Sequence, residues 1–454
     1  MALPTILSML VTSFYNVADT YFVGRLSTQS TAAVGIAFSV MALIQAVGFF
    51  FGHGSGNYIS RRLGAKDERS ATRMAATGFC ISVACGAVIA AVGLAFLEPL
   101  CLALGSTPTI LPHAEQYLGI VLIGAPFMTG SLVINNQLRF QGNTDAAMIG
   151  IVSGALLNVV LDPLLIFVIG LGLRGAALAT LISQATGCIA LYIMMRRRAV
   201  VKILLSSFRP TLSHLKEIVF GGTPSLARQG LASIAAIVLN HAAGIYGDAA
   251  IAGMAIVTRV SFFVYAVIVG LGQGFQPLCG FCYGAGLYQR VREGYFYCVR
   301  TGTIFITIVA AVCFVFATPI VHAFRDDAAV VAVGAAALRW QVAAYPFISA
   351  VVVTNMLLQT IRKPLRANLV ASSRNGIFFL PLILLLPYFF GLTGVEMCQA
   401  VADVLSFALA VPLAWSAFRD MGVHRPARRR RQGRQIRLQT RSWKSRAGRR
   451  RGNP

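Results

Sequence analysis

The sequence predicts an all-α integral membrane protein, with twelve transmembrane helices in two pseudo-symmetric six-helix bundles. Three observations carry this. Apolar residues make up 57% of the 454-residue chain and charged residues only 12%, at a mean hydropathy of +0.72. An average soluble chain is about a quarter charged. The apolar residues fall in blocks of about 20, the length that crosses a bilayer core. The chain also repeats itself with a period near 220.

Turn residues and charges delimit the spans at 2–24, 31–58, 75–97, 114–138, 146–170, 175–195, 220–243, 249–280, 298–322, 330–358, 367–390 and 394–418. The first block has no basic n-region and runs on to Asp19 and Arg25, unlike a cleavable signal. It starts almost at Met1, so a short leader is expected to be clipped. The repeat pairs Pro4 with Pro224, Gly24 with Gly244, Gly52 with Gly272, Gly54 with Gly274, Gly64-Ala65 with Gly284-Ala285, and Pro126-Phe127 with Pro346-Phe347. Gly172-Leu-Arg-Gly175 matches Gly391-Leu-Thr-Gly394 at an offset of 219. Six spans per half is an even number, so both halves enter from the same side. That is a parallel repeat about an axis along the membrane normal. The organisation expected is a first lobe at 1–195, a basic linker at 196–217, a second lobe at 218–420 and a disordered Arg-rich tail at 421–454.

The net charge is +24, and residues 419–454 hold 14 of the 39 basic residues against one acid, Asp420. With the N-terminus inside, the inner connections hold 18 Lys and Arg, among them Arg61, Arg139 and Arg362, and the outer ones three, Arg25, Arg174 and Arg325. This split places both termini in the cytoplasm by the positive-inside rule. Arg228, Arg259, Arg339 and Arg374 fall within spans. The tail's expected partner is anionic lipid, with no specific nucleic acid. Cys279 and Cys282 form a single CxxC in an apolar block with no second pair, which reads as packed thiols in a helix.

Polar residues inside spans face protein or water and are site candidates. Thr12, Tyr15, Asn16 and Asp19 share one face of span 1. In span 5, Asn158 lies one turn before Asp162, and Pro163 frees a carbonyl one turn back. Span 4 adds Asn135 and Asn136, and span 6 adds Thr180, Ser183 and Gln184. Two carboxylates among such oxygens can hold a proton between them or bind Na⁺ through hard donors. The 220 offset puts Leu239 and Leu382 at the positions of Asp19 and Asp162, so any cation site belongs to the first half. Arg374 and Asp403 sit at similar depths in spans 11 and 12 and are expected to form a structural ion pair.

The chain resembles the multidrug and toxic compound extrusion (MATE) family of antiporters. The stretches that carry the resemblance are Pro4 through Gly24, Arg62 to Ala65, Asn143-Thr-Asp145, Asn158 to Pro163 and Gly172 to Gly175. The resemblance implies two six-helix lobes around a cleft, alternating access, and exchange of H⁺ or Na⁺ for organic, often cationic, solutes. It implies a cation site on Asp19, Asp162, Asn158, Asn135 and Thr180, with Na⁺ possible at Asp19 and Asp162, and a bend in span 1 at Pro4. Acids in spans 7 and 10, used by other branches, are missing from this chain. No cofactor beyond the coupling ion, a plasma-membrane location and a monomer are expected. The alternative is an exporter or flippase of lipid-linked precursors, which the span arginines Arg228, Arg259 and Arg339 keep open. An intramembrane prenyl-transfer enzyme would need paired Asp-rich motifs; only Asp326-Asp327 is adjacent, in an outer loop, so the chain reads as no enzyme.

Overall fold

The computed structural model describes residues 2–422. The first half consists of α1 (Ala2–Gly24), α2 (Thr28–Gly64), α3 (Glu68–Ala95), α4 (Leu97–Ala103), α5 (Leu111–Ile123), α6 (Ala125–Phe140), α7 (Thr144–Pro163) and α8 (Leu173–Arg198). The second consists of α9 (Leu212–Gly244), α10 (Asp248–Gly284), α11 (Tyr288–Val315), α12 (Ala317–Phe324), α13 (Ala328–Ala343), α14 (Tyr345–Thr360), α15 (Pro364–Ser372), α16 (Phe379–Phe390) and α17 (Leu392–Asp420). Among the described residues, eight helical segments are long and apolar enough to cross a membrane, and two bent pairs make ten. The twelve-span layout is completed by α1 and α9, the leading helices of the halves. Polarity explains why α9 falls short: it carries Arg228, Gln229, Asn240 and His241.

The repeat is physical as well as textual. The pairs α5/α6 and α13/α14 bend by 47° and 54°. Each break is followed by a proline of the Pro-Phe repeat, Pro126 or Pro346. A proline lacks the N–H of the next helical bond and crowds the preceding turn, which turns the chain at equivalent places. Helix starts are capped by side chains: Ser27 accepts from the Ser30 N–H, Asp67 from Ser70, Thr211 from His214. Asp327, of the Asp326-Asp327 pair, caps α13 by accepting from the Ala329 and Val330 N–H groups. Its role is therefore local.

Apolar cores form within the halves, around Val121, Leu122 and Ile166 in the first and Ile306, Val352 and Ile383 in the second. Between the halves the contact is different. A Cβ on Gly64 would overlap the Phe281 carbonyl, and one on Gly284 the Arg61 carbonyl. Phe281 and Arg61 are themselves 220 apart, so α2 and α10 cross reciprocally at a two-fold axis. Gly54 lies on Gly221 of α9, and Gly274, its repeat partner, lies on Ala2 of α1. Glycine is needed at these points because backbone meets backbone. These approaches all fall at the end where α2 and α10 finish and α1 and α9 begin, the end that carries the basic connections. Nearer the opposite end, a shallow, open hollow lies against Ile237, Val238, Asn240 and His241 of α9.

The stretch expected as a linker is partly helix: α8 runs to Arg198 and α9 starts at Leu212. Between them Val201 and Ile203 are buried, and Gln141 holds Val201 by both its N–H and its carbonyl. The tail call at 421–454 lies outside the described residues from 423 onward.

Alanine at Gly64 or Gly284 is expected to lower the stability of the detergent-purified protein by about 1–3 kcal/mol, since the obstacle is backbone that cannot rotate away. Gly230→Ala in mid-α9, where a Cβ meets nothing within 4 Å, is expected to leave stability unchanged or raise it by about 0.5–1 kcal/mol. Thermal unfolding followed by size-exclusion fluorescence checks the contrast.

Candidate functional site

Helices α1 and α7 pack together in the first half. Their contact brings the Asp19 carboxyl within hydrogen-bonding range of the Asp162 carboxyl. Asp162 is fully buried, and Asn158 Nδ2 donates to its Oδ1 at 3.4 Å, as the i,i+4 spacing predicts. Pro163 has no N–H for the Val159 carbonyl, and the helix continues as a π-turn over Leu164–Val168, closed by the Ile169 N–H on the Leu164 carbonyl at 2.9 Å. Thr180 comes to this place through helix register. A Cβ on Gly154 would lie 3.1 Å from the Ser183 carbonyl, and Gly175 abuts the Leu165 carbonyl. Antiparallel α7 and α8 held at those two points bring buried Thr180 opposite Asn158.

What distinguishes the place is what its oxygens lack. Asp19 Oδ1, Asp162 Oδ2 and Asn158 Oδ1 are all buried without a donor. Three open acceptors, two of them on carboxyl groups, suit a proton or a small hard cation.

Other sequence-predicted residues are elsewhere. Asn135 donates from Nδ2 to the Ala147 carbonyl at 3.0 Å. Ala147 is 15 residues before Asp162 on α7, about 22 Å along a helix. The structure therefore does not bring Asn135 to the acids. Its repeat partner Asn355 makes the same bond, to the Ala367 carbonyl at 2.8 Å, so both are clips between consecutive spans. α1 runs unbroken from Ala2 past Pro4 to Gly24. Thr12 is spent on the Ser8 carbonyl at 2.8 Å and Asn136 on the Leu132 carbonyl at 2.7 Å. Gln184 faces Met128, and Ser183 is buried in α8. The side chains of Tyr15 and Asn16 lie outside the described residues.

Arg374 and Asp403 do pair. Arg374 Nε donates to Asp403 Oδ1 at 2.6 Å and Nη2 to Oδ2 at 3.3 Å, while Gln399 and Gln341 donate at 3.0 and 3.2 Å. Four bonds saturate this carboxylate. Arg374 also lies in a π-turn, Ser373–Ile377.

Sequence reasoning missed a polar seam between the halves. Arg139, counted as an inner-loop charge, lies in the last turn of α6 and is only 2% exposed. It donates to Gln273 of α10, to Asn136 at 2.5 Å and to His53 Nε2 at 3.2 Å. His53 Nδ1 meets Ser225 of α9 at 3.1 Å, and Gln359 of α14 donates to Ser225 at 2.8 Å. Nearer the chain turns, Arg61 and Arg362 both bond Glu217 at 2.8 Å. The signal was present: His53 and Gln273 are 220 apart, as are Arg139 and Gln359. Glu396, buried in α17, was passed over although it lies in span 12.

The MatE family model matches residues 4–164 and again 224–385, the same unit twice at an offset of 220. The chain belongs to the MATE family. Among relatives, the multidrug export protein MepA of Staphylococcus aureus (strain MRSA252) is 29% identical over 433 residues, covering 92% of this chain and 93% of the relative. MepA of Staphylococcus haemolyticus (strain JCSC1435) is 28% identical over 431 residues, covering 91% and 92%. A solved MATE multidrug resistance transporter of the MOP superfamily, in an outward-facing conformation, superposes with a TM-score of 0.88 at 26% identity, covering 93% of this chain and 95% of that one. A MATE structure in a bent conformation gives the same score, identity and coverage. The MATE fold thus holds the donor-poor acids of this chain in one half and its saturated ion pair in the other.

Asp403→Ala is expected to cost about 3–5 kcal/mol, because it strands the buried Arg374 charge. The double replacement Arg374→Met with Asp403→Leu is expected to recover most of that loss in thermal unfolding. Asn135→Ala and Asn355→Ala should each cost about 1–3 kcal/mol, and by similar amounts, if both are clips.

Proposed function

We propose that this protein is a secondary active multidrug efflux antiporter that exchanges H⁺ or Na⁺ for organic, often cationic, solutes by alternating access. The observation that carries the proposal is the set of donor-free buried oxygens on Asp19, Asp162 and Asn158. A permanent structural network would saturate them, as Asp403 is saturated. The multidrug export function of the staphylococcal relatives supports the substrate class.

The halves 1–195 and 218–420 are the rocking bodies, joined through 196–217, in a monomer of the plasma membrane with both termini cytoplasmic. The basic tail binds anionic lipid. The basic end is the cytoplasmic one, by the charge split of the connections. The glycine crossings and the polar seam then close the inside, while the hollow against α9 opens outward. In this form a proton or Na⁺ enters between Asp19 and Asp162 and removes their repulsion. That changes how α1 packs on α7 and biases the swing to the inward-open form, where the ion dissociates and a solute takes the cleft. A ligand shifts such an equilibrium only by binding the two forms unequally. Mutual exclusion of ion and solute supplies the inequality. Export of lipid-linked precursors fits less well. The hollow against α9 carries no arginine, Arg228 is bonded to Asn355, and Arg339 is bonded to Thr318.

Asp19→Asn and Asp162→Asn are each expected to abolish export of a fluorescent cation from vesicles while the protein remains folded by size exclusion. Full activity in either variant removes that residue from the mechanism. Export driven by a pH gradient alone, compared with a Na⁺ gradient alone, identifies the ion.

A further inference from the structure

Two arginines inside the bundle, Arg139 of α6 in the first half and Arg228 of α9 in the second, have no carboxylate partner among the described residues. Arg228 on α9 donates to a neutral partner, Asn355 Oδ1, at 3.2 Å. Arg139 has only amide and imidazole acceptors, and its buried Nε has none. His53 adds no negative charge: arginine only donates, so Nε2 must accept. The two guanidiniums are joined by one ladder. Arg139 meets His53, His53 meets Ser225, and Arg228 lies one turn beyond Ser225 on the same face of α9. Among the described residues no carboxylate is paired with either. Asp403, the nearby acid of this half, is already saturated.

A small cavity opens beside Arg228. It measures about 20 Å³ and has a polar side of Arg228, Arg374, Asn355, Asn375 and Tyr265 and an apolar side that includes Val351 and Val370, with the Arg374 guanidinium over the Tyr265 ring at 4.5 Å. That is room for one water-sized or halide-sized group. Donors surround it. Arg228 has N–H groups beyond the one on Asn355, Arg374 keeps Nη1 after Nε and Nη2 are taken by Asp403, and Asn375 contributes an amide. Of the acceptors there, Asn355 Oδ1 is committed to Arg228, which leaves the Asn375 amide oxygen and the Tyr265 hydroxyl against two guanidiniums. A cavity rich in donors, poor in acceptors and net positive in a low-dielectric bundle selects an anion, through charge-assisted hydrogen bonds. The arrangement is private to this half: the 220 offset puts Ser8 and Gly154 at the positions of Arg228 and Arg374.

We propose that the cavity between Arg228 and Arg374 is a binding site for a small monovalent anion of halide size. The bound anion neutralises Arg228, screens Arg139 and leaves the second half able to face a cationic solute. The same chemistry can come from free chloride or from the carboxylate of an organic acid.

The test uses the full-length protein purified in detergent and exchanged into sulfate, a divalent anion larger than the cavity and without a carboxylate. Chloride or bromide titrated at constant ionic strength is expected to raise Tm saturably, by about 2–4 °C at saturation. Arg228→Gln is expected to lose the response, and Arg228→Lys to retain it at a higher half-saturating concentration. Acetate and benzoate form the second arm. A rise with chloride alone assigns the site to the free ion, and competition of benzoate with chloride assigns it to an organic carboxylate; both support an anion site. No saturable rise with any of these anions in the wild-type protein overturns the proposal. So does an equal rise in Arg228→Gln. If that variant does not fold, Asn375→Leu, which removes a donor and no charge, is expected to weaken the response, and an unchanged half-saturating concentration overturns the site. Because the readout is stability, failure of cation-coupled transport leaves this result standing.

Discussion

A charge inside a bilayer has to be answered by a neighbouring group, and this chain answers its buried charges in three different ways. Asp403 is answered completely, by one guanidinium and two amides. Asp19 and Asp162 answer each other, which two carboxylates manage only by sharing a proton or an ion. Arg139 and Arg228 are answered by neutral acceptors alone. The first arrangement is closed to any ligand, because each lone pair that a cation would need is occupied. The second leaves three oxygens open on one side of the bundle. The difference separates a saturated pair from a set of open acceptors without reference to sequence position.

The repeat sharpens this division. Where the two halves match residue for residue, the residues hold the fold: Gly64 with Gly284, Asn135 with Asn355, Pro126 with Pro346. Where they differ, the halves acquire different chemistry. Asp19 and Asp162 face Leu239 and Leu382 across the offset, Arg139 faces Gln359, and Arg228 faces Ser8. A symmetric scaffold with asymmetric polar substitutions gives two bodies of similar shape and unlike charge. Asp19 and Asp162 are private to the first half, and Arg228 and Arg374 to the second.

Much of this was legible in the sequence. Span number, the parallel repeat and the Arg374–Asp403 pair follow from block length, offset and depth, whereas the bends before Pro126 and Pro346 come from the structure. The meeting of Asp162 with Asn158 follows from helical spacing. Asn135 was misread because polarity inside a span marks a residue as unusual without saying what it touches; its bond to Ala147 depends on where α6 bends and crosses α7. Arg139 was misread for a related reason. An arginine at the end of an apolar block looks like a loop charge, and only the packing of α10 against α6 puts an amide over it. In both cases the 220 offset held the correcting signal, in Asn355 and in Gln359.

The seam explains how such an assembly can come apart within a membrane. Within each half the packing is apolar, and separating it would expose surface that water does not solvate well. Between the halves, at the basic end, Ile218 of α9 packs into the first half's core, and the other contacts include glycine backbone and hydrogen bonds: Arg61 to Glu217 and to the Thr360 carbonyl, Ser60 to the Pro277 carbonyl, Thr360 to Asn57. Water entering from the basic end can replace each of these bonds with one of its own, so the net loss on separation is small compared with the gross strength of the bonds. Glycine contacts add close approach and little apolar area. A seam made this way is specific when shut and inexpensive to open, whereas the same area of leucine and phenylalanine would have fused the halves into one rigid body.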